Sequence, residues 1–578
     1  MTLALILAAC AVPTPQATEV PLTRLLPDTT TAFLSWRTPL RHLERVGIWK
    51  PLADFRPEAG WLSLLEQPEL ERWIDRLGPD PWALLGDLAG RGIEFGLVPS
   101  DDQGQPSMLL ALEQLDSGRG RRAVDRVLEA AGAHFGFPGM FQRPQGAIAG
   151  RDAYYLGNDL TIVVEERRVL ISNDRALLER AFRDVKAPGH LGLLGVRSFQ
   201  TCRAMAPPGP DFWAFVDVER GRELQLQLER FASDLYKSIA RPQPLIVLGP
   251  AFATVADSGA WSTWVEPEDQ GFKLGFSAAR YNGYAGVLRP TKARRSMKDR
   301  PAAPSPVGRP GDLLDGLIYR DLSAWLEARV DLFEEGAQAR LVSQLAELEN
   351  LFGGVAFDRD LTPQLSPWWR VVSRPLNFGR WPEPDLALPG IALIGRLQAP
   401  LRWGPYLEAG FQSLAVLTNV DRAQQGSPPL LLRPGQVNEV PYTAAHFPPP
   451  LDPTEVDIYY NAAPAFAVAG DHVVLASHET LLRQIVSDLQ ATGATRSALP
   501  KAEALQVHGS VVAEILENEL DTLAVLHALE EGLEIPEARA RLGQLLTAIR
   551  GFDVSLTAEY PDDALIVQSQ WEWTPDRR

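Results

Sequence analysis

The sequence predicts an α+β protein of two tandem related halves, each a mainly antiparallel sheet with helices packed on one face. Three observations carry that expectation. Strand-forming runs are joined by tight hairpins and not by helical crossovers. Amphipathic helices lie between them. The same series of elements then occurs twice along the 578 residues.

The clearest repeat is a hairpin followed by a helix. Thr161 to Val185 (TIVVEERRVLISNDRALLERAFRDV) aligns without a gap on Ala465 to Leu489 (AFAVAGDHVVLASHETLLRQIVSDL). Identities are few: Val164 with Val468, Val169 with Val473, Leu177 with Leu481, Leu178 with Leu482 and Asp184 with Asp488. The pattern says more than the identities. In each copy an apolar strand reaches a turn near Glu166 or Gly470-Asp471, and a second strand returns. Asn173 and Ser477 then offer a side-chain oxygen as helix N-caps. Leu177, Leu178, Ala181 and Phe182, like Leu481, Leu482, Ile485 and Val486, form one stripe at helical spacing.

Further elements recur in order. A strand and helix over Ala32 to Val46, with Thr38 as cap and Pro39 at the first helical position, match Leu317 to Val330, where Asp321 caps. Phe212 to Leu235 matches Leu505 to Leu526, each a strand then an amphipathic helix. Each half closes on a strand pair turning at Pro267-Glu268-Asp269 or Pro561-Asp562-Asp563. The repeat far exceeds solenoid units, which points to a duplicated domain. Between the halves, Arg289 to Gly311 carries five prolines among Lys292, Arg294, Arg295, Lys298 and Arg300. It reads as a solvated connector; the alternative is a basic site for an acidic partner. The expected organisation is a leader and tether over 1–21, a first domain over 22–288, a linker over 289–311 and a second domain over 312–578.

Bulk properties narrow the functional classes. Charged residues at 22% and hydrophobic residues at 45% describe an ordinary globular chain, which excludes wholesale disorder. A net charge of -17, from 56 basic against 73 acidic residues, repels phosphate backbones, so no nucleic acid is expected as partner. The longest internal apolar run, Leu245 to Ala256, is broken by Gly249 and Pro250 and is too short to span a bilayer.

The opening residues suggest export. Met1 to Ala9 is almost wholly apolar, and Leu7-Ala8-Ala9-Cys10 looks like a lipobox, in which Cys10 receives a lipid; a Pro/Thr-rich tether follows to Pro21. No basic residue precedes the apolar run, and a buried N-terminal element is the competing reading. Cys202, the other cysteine, then has no partner and is expected to be a buried, inert thiol.

Leu26-Pro27-Asp28-Thr29 leading into Ala32 to Trp36, together with Leu170-Ile171-Ser172-Asn173-Asp174-Arg175-Ala176-Leu177-Leu178, resembles an uncharacterised family of exported bacterial proteins known as a domain of unknown function. Phe352 to Asp360 and Phe411-Gln412-Ser413-Leu414 carry the same resemblance in the second half. It implies an envelope location and no assigned activity, so it transfers no catalytic residue.

No constellation of reactive groups stands out. Gly86 to Gly96 and Gly189 to Gly195 lack the spacing and lysine of a phosphate loop. Asp471, His472, His478 and Glu479 bracket a strand whose length holds its ends apart, so no metal is expected. Asp358 with Asp360, and Asp101 with Asp102, read as turn residues before they read as an acid–base pair. The weak surface-recognition candidates are Trp368, Trp369 and Trp381 in a Pro-rich stretch, where an exposed ring can stack on a sugar or anchor a partner, or can fold back onto the sheet. No cofactor is expected. The favoured reading is a non-catalytic envelope lipoprotein that binds or scaffolds an envelope protein, glycan or lipid. A periplasmic carrier of a lipid-like ligand and a carboxylate-dependent hydrolase of envelope polymers are the alternatives.

Overall fold

The computed structural model describes residues 21–37, 87–89, 91–99, 106–114, 117–134, 139, 143–156, 160–223, 258–268, 271–279, 303–327, 335–384, 386–450, 456–492, 500, 502–559 and 564–573. Cys10, Thr38, Pro39, Asp101, Asp102 and residues 289–302 of the expected linker lie outside them. The described residues fall into two compact units, the first ending at 279 and the second beginning at 303.

The first unit holds ten described strands: β1 (Ala32–Trp36), β2 (Gly92–Val98), β3 (Ser107–Glu113), β4 (Gly146–Ile148), β5 (Arg151–Leu156), β6 (Leu160–Val164), β7 (Arg168–Ser172), β8 (Phe212–Asp217), β9 (Ala260–Glu268) and β10 (Gly271–Ala279). Their order is β4-β5-β6-β7-β3-β2-β1-β8-β9-β10, and every neighbouring pair is antiparallel. Its longer described helices are α1 (Ser117–His134), α2 (Arg175–Asp184) and α3 (Arg197–Met205).

The second unit also has ten described strands: β11 (Leu314–Tyr319), β12 (Trp368–Arg374), β13 (Gly390–Arg396), β14 (Leu431–Val437), β15 (Val440–His446), β16 (Ala465–Ala469), β17 (His472–Ala476), β18 (Ala502–His508), β19 (Phe552–Glu559) and β20 (Ala564–Trp573). Their order, β14-β15-β16-β17-β13-β12-β11-β18-β19-β20, is that of the first unit with ten added to each strand number. Its longer helices are α4 (Glu335–Leu351), α5 (Pro400–Gln424), α6 (Glu479–Thr492), α7 (Gly509–Asn518), α8 (Leu520–Glu531) and α9 (Ile535–Arg550).

The gapless repeat keeps its register. Val164 faces Val169 and Thr161 faces Ser172 in the first hairpin; Val468 faces Val473 and Ala465 faces Ala476 in the second. Both helical stripes read from the sequence are buried.

Helices cover both faces of each sheet, not one as expected. In the first unit α1 packs Val124 and Leu128 against Ile93, Leu110, Leu112 and Ile171, while α2 lies over β3 and β7 from the other side. In the second unit α6 packs Leu481, Leu482 and Ile485 onto Ala465, Ala467 and Ile394, while α5 and α4 bring Trp403 and Phe352 to Phe466 and Val473 on the opposite face. The physical cause is visible in β7, where all five residues are buried. A strand buried on every residue, not on alternate ones, requires cover on both sides.

Two further expectations change. Asn173 and Ser477 are not the helix caps. Asp174 takes the Leu177 N–H (3.1 Å) and His478 Nδ1 takes the Thr480 N–H (3.2 Å). Asp321 does cap its helix, accepting from Ala324 N–H at 3.1 Å. Residues 303–311 of the expected connector are packed on the second unit. Val307 sits in its core, and its carbonyl accepts from Arg374 at 2.6 Å. Arg374 is itself buried against Asp312 (2.5 Å) and Asp488 (3.0 Å), so a string of prolines hid an anchored strap.

Candidate functional site

In the first unit one cross-strand row runs Leu170, Ala111, Glu94, Ser35, Trp213, Trp264, Gly275 across seven strands. Alternation puts these side chains on the face that carries α2 and α3. Gly275 lacks a side chain because the Trp264 ring occupies its place; an added Cβ would stand 1.9 Å from that ring. Glu94, Ser35 and Trp213 form the floor of a cavity of about 180 Å³.

Its walls come from four places. The next row supplies Phe33. Helix α3 supplies Phe199 and Arg203, four residues apart and therefore on one side of the helix. Pro210 and Leu194 close one end, and Arg37 follows β1. The turn at Leu22–Leu25 closes another, because Leu26 packs over Gly96, where an added Cβ would come within 2.4 Å of it. Phe33, Phe199 and Trp213 form a mutually edge-on or tilted cluster with ring centroids 4.9–5.8 Å apart.

The charges in this cavity are unevenly matched. Glu94 accepts the Leu22 N–H at 3.1 Å, yet burial and then the nearby Glu113 carboxylate push its pKa up to about 7, against the opposing pull of that hydrogen bond, Arg168 and Arg37. Arg203 lies over the Trp213 ring at 5.6 Å and donates to the Pro207 carbonyl at 3.0 Å. Burial, and then Arg37, lower its affinity for its proton. Glu94 is the sole carboxylate among the described lining residues. The arrangement suits an apolar ring with an adjacent hydrogen-bonding or anionic group. The sequence signal for this site was an acid within the apolar strand Gly-Ile-Glu-Phe-Gly-Leu-Val.

The second unit offers a surface. One row runs Val371, Leu393, Leu475, Phe466, Thr443 across β12, β13, β17, β16 and β15. Helix α5 covers its far end: Phe411 stacks on Phe466 at 5.9 Å, and Thr443 donates to Glu408 at 2.6 Å. It leaves the near end bare. Leu393 is 38% exposed, Leu475 41% and Ile391, two residues along the strand, 52%. Leu414, Val416, Leu417 and Val420 on α5 are exposed as well.

The three tryptophans part company. Trp368 lies in β12, buried and edge-on to Tyr319 at 5.1 Å, and so is a core residue and not a recognition platform. Trp369 fills the space over Gly395 and joins the α4–α5 core. Trp381 sits in a loop, half-buried, with its ring 4.7 Å from His446 and the Arg380 guanidinium 4.9 Å away.

The bracketing ligands of β17 are engaged elsewhere. Asp471 pairs with Arg396, and His472 Nε2 accepts from Ser305 N–H at 3.3 Å. Glu479 is held by Arg380 (2.9 Å) and by the Tyr442 hydroxyl (2.5 Å). His478 is buried against Phe378, and its Nε2 has no hydrogen-bond partner among the described residues. Asp360 accepts the Ala356 N–H at 3.3 Å within a single π-helical turn that also holds Asp358, whose carboxylate lies 3.8 Å from Arg359. Burial pushes the Cys202 thiol up to about 12, which makes it unreactive. Among the described residues, no helix is long and apolar enough to cross a membrane.

No protein-family model matches the chain, and no curated protein does. Among solved structures, crystal forms I and III of TP0453 align at 8% identity, with TM-scores of 0.22 and 0.23. The alignments cover 46% and 50% of this chain and 81% and 91% of those chains. Likenesses of that size carry no argument about fold or function.

Proposed function

We propose that this chain is a non-catalytic, exported protein of the bacterial cell envelope, tethered by a lipid on Cys10, whose second unit binds another envelope component. The observation that carries the binding role is the exposed apolar cross-strand pair Leu393 and Leu475, with Ile391 two residues along the same strand. Neighbouring large apolar side chains left in water are costly and mark interaction sites. The apolar leader, the lipobox-like Leu7-Ala8-Ala9-Cys10 and the family resemblance support export.

We further infer that the two units arose by duplication of one domain. The shared strand order supports it, as does the shared register of the two hairpins. The alternatives receive less support. A carrier of a lipid-like ligand calls for a cavity of about 300 Å³ or more, and the one described in the first unit is about 180 Å³. A two-carboxylate hydrolase needs a second acid converging on Glu94, and that lining holds none among the described residues.

Purification from the native host in mild detergent, with denaturing mass analysis, tests the tether. The expected result is a chain beginning at Cys10 with a diacylglyceryl adduct in the membrane fraction. A chain retaining Met1, recovered without detergent, would overturn it.

A further inference from the structure

We propose that the cavity of the first unit is a binding site for a small monocarboxylate with a single-ring or short branched apolar body. The inference is independent of the surface on the second unit.

Size sets the ligand class. A dry cavity of about 150 Å³ holds one benzene ring, so about 180 Å³ over Phe33, Phe199 and Trp213 holds one ring or its aliphatic equivalent and a short polar arm. Charge selects the arm. Arg37 stands close enough to Arg203 to disfavour its charge, and Glu94 is the one carboxylate among the described lining residues. Two guanidiniums beside Glu94, which burial keeps protonated below about pH 7, match a carboxylate, which accepts their forked N–H groups.

Glu94 fits the same ligand as a neutral acid. Its charged neighbours are Glu113 from β3, Arg168 from β7 and Arg37 after β1, and the Leu22 N–H points at it from the turn above. Protonated, it donates a hydrogen bond to a bound carboxylate; ionised, it repels one. An anion beside it strengthens its hold on the proton, so binding takes up a proton near neutral pH.

Isothermal titration of the full chain with phenylacetate, benzyl alcohol and benzylamine tests this. Phenylacetate should bind at pH 6 at least about tenfold more tightly than the neutral alcohol, and weaken by about tenfold or more at pH 8.5 as Glu94 ionises. Its heat at pH 6.5 should vary between buffers of different ionisation enthalpy in the sense of proton uptake. Glu94→Gln should bind equally at both pH values, and Arg37→Gln, at the exposed mouth, should lose about tenfold at pH 6. Should Arg203→Gln fail to fold, the Glu94→Gln pH series and the three-ligand comparison still decide. Absence of phenylacetate binding at millimolar concentration, equal binding of the alcohol, or preference for the amine would each overturn the proposal.

Discussion

Asn173 and Ser477 hold equivalent places in their two units: Asn173 accepts the Met108 N–H at 2.6 Å and Ser477 accepts the Ile391 N–H at 2.9 Å. Met108 and Ile391 are each the second residue of the strand beside the hairpin, β3 and β13. The side chains tie a hairpin exit to its neighbour, and the next residue caps the helix. Asn173→Ala should therefore cost about 1 kcal/mol through the strand amide, and Asp174→Ala a similar amount through the helix. Chemical denaturation of the single and double variants checks this. Costs that add would mark two separate roles.

Arg374 and Asp312 are both nearly fully buried, and Asp312 also accepts the Arg309 N–H at 2.8 Å. Arg374 also pairs with Asp488, so removing both acids strands its charge away from water. Asp312→Ala combined with Asp488→Ala should cost about 3–5 kcal/mol, far more than an exposed pair such as Arg541–Glu537, worth under about 1 kcal/mol. Denaturant midpoints at constant slope measure the difference.

Glu94 should make the protein less stable as pH rises. Its folded pKa of about 7 lies above the ordinary 4.5, so between those values the folded state binds more protons than the unfolded one. Stability then falls from pH 4.5 to 7 and stays reduced above. Glu94→Gln removes this slope and should be the more stable form at pH 8, by on the order of 1–3 kcal/mol. Paired melting curves at pH 5 and 8 read it directly.

His478 acts on the acid side with the opposite sign. Burial, opposed by Glu479, lowers its pKa to about 4 from 6.5, so below 6.5 the unfolded state takes up the proton first. Its contribution is present above pH 6.5 and lost as pH falls toward 4. His478→Asn keeps an acceptor for the Thr480 N–H and leaves no group to titrate. Its stability should be flatter than the parent's across that window, and an unchanged slope would place the acid sensitivity elsewhere.

Local pattern carried the hairpins and helical stripes, because a two-residue period followed by a helical one is written in Val164 to Phe182 and again in Val468 to Val486. The second covered face was harder to read. A run such as Val169-Leu170-Ile171 shows that a strand is buried but not by what, and α5 lies far along the chain from part of its packing surface. The strap at 303–311 was disguised by prolines whose neighbours Val307 and Asp312 make the anchoring contacts. The cavity was least legible. Glu94, Ser35 and Trp213 are brought side by side only by the pairing of β2, β1 and β8.

The binding role of the second unit is tested most directly by a photo-crosslinking residue at Leu393, activated in living cells. A discrete adduct with one envelope component is expected, lost when Leu475, directly opposite, is changed to Asp. No adduct, or the same products from a crosslinker at exposed Arg433 on β14, would contradict it.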